Sequence, residues 1–257
     1  MGRAHHEAVH LLPVVLAGVC IGVAFGLFGA GGSAFGTPVL ALMGIPAPIA
    51  VASPLPAVLP AAIVGARQYL RAGVLDRRVA KLAVLAAVPT VIVGALLSRV
   101  VGDEFLLVAS GALLVVVGVR MVLPVRAVPD GACHRRVDST SLVVGSVAAA
   151  GLVAGLLATG GGIVLVPLFI VAFGFTAARA AGTSLVVAAA LTVPTLATHW
   201  LLGNIDWSIA AAFALGMVPA SFAAARVGMK LPDRVARPAF GAIVLGFSLF
   251  FLVVQLG

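Results

Sequence analysis

Apolar runs separated by short polar stretches fill nearly the whole of this 257-residue chain. In the first half they cover roughly 11–28, 34–43, 48–66, 82–98 and 105–123. In the second they cover roughly 140–158, 163–173, 181–202, 207–225 and 238–256. A helix that spans a bilayer needs about 20 residues. Most of the runs are close to that length, but the second run of each half has only ten or eleven residues. Each short run follows a glycine cluster, so it reads as the second arm of a glycine-broken or re-entrant hairpin. The pattern leaves open whether the short runs re-enter or cross fully. The predicted fold is an all-α integral membrane protein of two repeats, each with about four to five helical segments.

The repeat is visible residue by residue. Gly22, Gly26, Gly31, Gly32 and Pro38 match Gly151, Gly155, Gly160, Gly161 and Pro167 at an offset of 129. After one inserted residue the offset becomes 130, pairing Gly44 with Gly174, Leu55 with Leu185, Gly73 with Gly203 and Asp76 with Asp206. It continues through Pro89 with Pro219, Asp103 with Asp233 and Gly111 with Gly241. Fixed-period self-similarity of this kind marks internal duplication. The predicted division is a first repeat over 1–123, a linker over 124–138 and a second repeat over 139–257.

Charge sets the expected topology. If each half crosses an odd number of times, all 16 Lys and Arg residues except Arg3 and Arg99 fall on one face. A four-crossing half sends the basic segment 226–237 to the other face, which cytoplasmic loops rich in Lys and Arg argue against. Odd halves must be inverted relative to one another. The matched loops agree: 67–81 carries Arg67, Arg71, Arg77, Arg78 and Lys81, while 197–211 carries no basic residue. Both termini are then expected in the periplasm of a bacterial inner membrane, with the linker in the cytoplasm.

Composition narrows the function. The chain is 62% apolar and 9% charged with a mean hydropathy of +1.24, against about 25% charged in a soluble domain. The net charge of +8 sits in the gaps between apolar runs, which argues for topology rather than nucleic-acid binding. Cys20 and Cys133 imply no disulfide framework. No signal-peptide pattern precedes the first run, so that run is expected to be retained. No His, Cys, Asp and Glu group gathers in the apolar runs, so neither an enzyme nor a bound metal or cofactor is expected. The expected partners are the bilayer and a small anion, and a homo-oligomer is left open.

The glycine clusters read Gly29-Ala30-Gly31-Gly32-Ser33 and Thr159-Gly160-Gly161-Gly162. A helix restarting after such a break offers free N–H groups and a positive dipole end, which hold anions. Two such half-helices from inverted repeats can meet near the midplane without a buried Arg or Lys. Gly18, Gly22 and Gly26, at four-residue spacing, read instead as close helix packing. Ser53 in one half, and Thr183 and Ser184 in the other, form a second polar patch, for which bonding back to the helix is the alternative. His199 is the histidine that lies within an apolar run. No Asp, Glu or Lys sits mid-run. An exported anion needs no proton-carrying acid, because the membrane potential supplies about 2.3 kcal/mol per charge per 100 mV.

These motifs resemble those of the sulfite exporter TauE/SafE family of membrane permeases. The resemblance rests on Gly26-Leu27-Phe28-Gly29-Ala30-Gly31-Gly32-Ser33 with Pro38-Val39-Leu40, and on Gly155-Leu156-Leu157-Ala158-Thr159-Gly160-Gly161-Gly162 with Pro167-Leu168. Ala181-Gly182-Thr183-Ser184-Leu185 completes it. It implies transport of sulfite, thiosulfate, sulfoacetate or a related sulfonate, without selecting among them. Export is the expected direction, with cation-coupled uptake and a channel as alternatives. The expected substrate-binding residues are Gly31, Gly32, Ser33, Ser53, Gly160, Gly161, Gly162, Thr183, Ser184 and His199. The first half departs from the pattern at Ala52-Ser53-Pro54-Leu55-Pro56, where Pro54, Pro56 and Pro60 should bend the helix.

Overall fold

A computed structural model describes residues 2–30, 32–97, 115–122, 139–156, 162–201 and 203–256. Most of the 105–123 run, the 124–138 linker, Gly31, Gly160 and Gly161 lie outside the described residues, as does the side chain of Ser33. The first half contributes α1 (Gly2–Phe28), α2 (Gly32–Leu42), α3 (Ala47–Ala52), α4 (Leu55–Arg71) and α5 (Arg77–Leu97). A further helical stretch covers 115–122. The second half contributes α6 (Thr140–Leu156), α7 (Gly162–Val171), α8 (Ala177–Leu201), α9 (Trp207–Gly228) and α10 (Asp233–Leu256). Among the described residues there is no strand. Stretches within Leu11–Phe28, Ile49–Arg71, Ala177–Leu201 and Trp207–Gly228 are each long and apolar enough to cross a membrane. Leu85, Leu201 and Leu215 leave 74%, 87% and 72% of their surface uncovered. Lipid tolerates this and water does not.

The elements follow the hydropathy pattern with one local exception. α2 and α7, at 11 and 10 residues, are about 15 Å long at 1.5 Å per residue, half a hydrocarbon core. The run at 48–66 is divided into α3 and α4 at Ser53–Pro54, where Pro54 and Pro56 stand at the start of α4, a place that tolerates a missing N–H, while Pro60 lies inside α4 without breaking it. The matching span in the second half, which holds a single proline, is the unbroken α8. Gly73 and Gly203 have φ of +72° and +71°, a left-handed conformation that costs glycine little. They close the same helix end, with Val74 N–H on the Tyr69 carbonyl (3.3 Å) and Asn204 N–H on the His199 carbonyl (3.2 Å).

Packing exchanges the halves. α1 lies along α9, and its contacts advance in step: Gly18 on Phe213, Gly22 on Met217, Gly26 on Ser221. The two helices are therefore parallel. α5 and α6 repeat the arrangement at matched positions, Gly151 on Ala87 and Gly155 on Val91. A Cβ on Gly22 would stand 2.5 Å from the Met217 carbonyl oxygen, and one on Gly151 would stand 3.0 Å from the Ala87 Cα. Lipid tails are as apolar as the side chains, so helix association relies on such close backbone contact. α4 and α8, which match in sequence, cross at the centre in opposite directions: Gly182 meets Tyr69 while Gly65 meets Leu185.

Candidate functional site

The first glycine break touches the start of α7. α1 stops at Phe28, and Gly29 takes a φ of +69°. A Cβ there would collide with the Ala181 backbone of α8, 2.6 Å from its Cα. Ser184 Oγ of α8 donates a hydrogen bond to the Gly29 carbonyl at 2.9 Å. Gly162 opens α7 against the same stretch, and a Cβ on it would lie 3.0 Å from the Gly29 carbonyl oxygen and 3.2 Å from the Ala30 Cα. Ser184 Oγ is 3.6 Å from that position. Ala30, Gly162 and Ser184 are all buried. Tyr69, fully buried at the end of α4, places its hydroxyl 3.0 Å from the Gly26 carbonyl and 3.1 Å from that of Leu27. It thereby satisfies the open carbonyls of the last α1 turn.

The remaining hydroxyls fasten one half to the other. Thr183 Oγ1 donates to the Arg179 carbonyl at 2.7 Å and accepts the Asp76 N–H at 3.3 Å. Ser53 Oγ, at the matching position, accepts the Asp206 N–H at 3.1 Å. Both aspartates also cap helices: Asp76 accepts the Val79 N–H at 2.9 Å, and Asp206 accepts those of Ser208 and Ile209 at 2.9 and 3.1 Å. Thr183 and Ser184 stand near the start of α8, whereas Ser53 and His199 belong with its far end, about 25 Å along the helix. The structure therefore brings Gly162 and Ser184 together at the first break and sets Ser53 and His199 apart from them, while Gly32, which opens α2, faces Phe25, Val58 and Met217. His199 is half-buried and its Nδ1 has no hydrogen-bond partner among the described residues.

Two features lie outside the sequence reading. An ion pair joins Arg179 to the Asp76 carboxylate across the halves, with the guanidinium 4.3 Å over the Phe175 ring. The second is Arg237, which turns part of its guanidinium inward. Its Nε and Nη2 are buried without a partner among the described residues, in a small cavity lined also by Phe28, Ile170 and Phe240. Arg237 lies one turn inside α10 rather than in the preceding loop, so the side chain turns inward. Among the described residues no group of three His, Cys, Asp or Glu side chains could hold a metal.

Four stretches of helix long and apolar enough to cross a membrane mark a multi-pass membrane protein, and the family match makes it a membrane transporter. The chain belongs to the sulfite exporter TauE/SafE family, whose model matches residues 14–251. It is similar to a "Probable membrane transporter protein" of Xylella fastidiosa strain Temecula1, 25% identical over 245 residues, covering 93% of this chain and 94% of the relative. A protein of the same name from strain 9a5c matches to the same extent. No solved structure matches the chain.

Proposed function

We propose that the chain exports a small sulfur-containing anion, sulfite or an organosulfonate such as sulfoacetate, across a bacterial inner membrane by alternating access. The observation that carries this reading is the seating of Gly29–Ala30 on Gly162. Where two broken helices abut, the N–H groups opening α2 and α7 have no intrahelical partner and form a compact anion cradle. Gly31, Gly32, Gly160, Gly161 and Gly162 would supply N–H groups and Ser33 a hydroxyl, while Ser184, whose proton goes to the Gly29 carbonyl, holds the first break in place. Arg237, one helix away beside Phe28, adds a cation near the cradle whose Nε and Nη2 have no partner among the described residues.

The two repeats are inverted about an axis in the membrane plane, with both termini periplasmic. Antiparallel crossing of the matched α4 and α8 supports this, because an axis along the helices would leave them parallel. The exchanged contacts of α1 with α9 and α6 with α5 have the same two-fold logic. A pathway between such halves opens to one side as it closes to the other.

Proteoliposomes loaded with radiolabelled sulfite test the proposal. Efflux should rise with an imposed inside-negative potential, and Gly162→Val should remove at least about tenfold of it while the protein stays folded. Normal flux in that variant would remove the breaks from the mechanism. Flux inward, driven by a cation gradient, would instead establish uptake of thiosulfate or a related anion.

A further inference from the structure

A cavity of about 650 Å³ opens between α4, α5 and α8, outside the candidate site. Its volume is in the range of pockets that enclose an extended small molecule, about 300–1,000 Å³. Ile63, Leu70, Val84, Leu85 and Val186 line it, and Arg67, Arg77 and Lys81 complete its wall. Ile63, Leu70 and Leu85 are 47%, 41% and 74% exposed, so the groove faces sideways into lipid. Arg67 precedes the α4–α5 turn by the same number of residues as Lys81 follows it. Arg67 and Lys81 therefore sit at one depth, with Arg77 one turn nearer the membrane surface, all at that end of an apolar slot. None of them pairs with an acid among the described residues. Asp76, the carboxylate next to Arg77 in sequence, is committed to Arg179 and to the α5 cap.

The second half holds the comparison. The positions matching Arg67, Arg77 and Lys81 are Ala197, Trp207 and Ala211, and the one matching Leu70 is Trp200. Trp200 and Trp207 meet edge to face with centroids 6.4 Å apart. The same helix hairpin is thus neutral and aromatic at one membrane surface, and cationic beside a groove at the other.

We propose that the α4–α5–α8 groove is a binding site for an anionic phospholipid, with an acyl chain in the slot and the phosphate against Arg67, Arg77 and Lys81. Basic pockets between membrane helices select anionic head groups by charge, and the apolar wall makes the ligand a lipid rather than a free anion.

The purified full chain in detergent, offered equal phosphatidylglycerol and phosphatidylcholine of identical chains, tests this by native mass spectrometry. Wild-type protein should retain phosphatidylglycerol preferentially. Each cation contributes about a factor of five, so combining Arg67→Ala, Arg77→Gln and Lys81→Ala should remove roughly a hundredfold of the preference. Val186→Trp, which fills the slot with the cations intact, should lower retention of both lipids. No preference in the wild type, a triple variant that retains lipid like the wild type, or Val186→Trp without effect would each overturn the proposal. A triple variant that fails to fold leaves wild-type competition decisive. Glycerol 3-phosphate, a head group without chains, should not displace the lipid; displacement would mean that the cations bind phosphate without the groove.

Discussion

Asp76 and Asp206 occupy matched turns, cap matched helices and give their N–H groups to matched hydroxyls on the opposite half. They differ in one partner. Asp76 faces Arg179, whereas the position matching Arg179 is Ile49, and the Asp206 carboxylate bonds only backbone N–H groups among the described residues. The Arg-lined groove and the Trp200–Trp207 pair differ in the same way. Backbone contacts recur at matched positions because helix packing has no preferred side of the membrane; under the proposed inversion, charged and aromatic side chains answer to the different surface that each half meets. Under the proposed mechanism the two ends of the pathway are therefore closed by clasps of unequal strength.

The shared scaffold should be the costliest to disturb. Gly26→Leu and Gly155→Leu would each drive a side chain into a facing carbonyl, of Ser221 and Val91 respectively. Overpacking a backbone contact costs about 3 kcal/mol. Both variants should lose most folded yield by size-exclusion chromatography in detergent. If one tolerates the change and the other does not, the two helix pairs are not equivalent.

The unequal clasps should appear next, in transport. Asp76→Asn keeps a capping side chain but removes the carboxylate that Arg179 meets. A pair of this exposure is worth about 1 kcal/mol or less, so flux should change about two- to fivefold. Asp206→Asn should leave flux nearly unchanged. Ile49→Arg, supplying the absent cation opposite Asp206, should slow turnover. Equal effects of the two aspartate variants would erase the asymmetry. The smallest effect belongs to the hydroxyls: Thr183→Val and Ser53→Ala each delete one hydrogen bond between halves, worth about 1 kcal/mol. Their thermal unfolding midpoints should fall by similar amounts. A large loss of transport in Thr183→Val with little loss of stability would return Thr183 to the substrate site.

Much of this was legible in the chain. The 130-residue offset paired Asp76 with Asp206 and Gly73 with Gly203 before any contact was known. The prolines after Ser53 announced a bend where the chain in fact divides into α3 and α4, and the four-residue glycine spacing in α1 announced a tight helix contact. The roles of Ser53 and Thr183 were not legible, because a hydroxyl in lipid can satisfy its own helix, a distant loop or a ligand with the same sequence around it. Arg237 was read as a loop charge. Its place one turn inside α10 put its guanidinium indoors, and only the helix start, fixed at Asp233, reveals that.

The sequence alone determined where the chain is helical, where it breaks and that its pattern runs through twice. Lipid offers no hydrogen bonds, so each apolar run must satisfy its own backbone, and that requirement is local. Only the tertiary structure decided that α1 lies on α9 rather than within its own half, that Gly29 meets Gly162, and that Arg67, Arg77 and Lys81 share the edge of one groove. Those pairings depend on which small-residue faces fit across more than a hundred residues of chain, and hydropathy is the same for every face that lipid could cover.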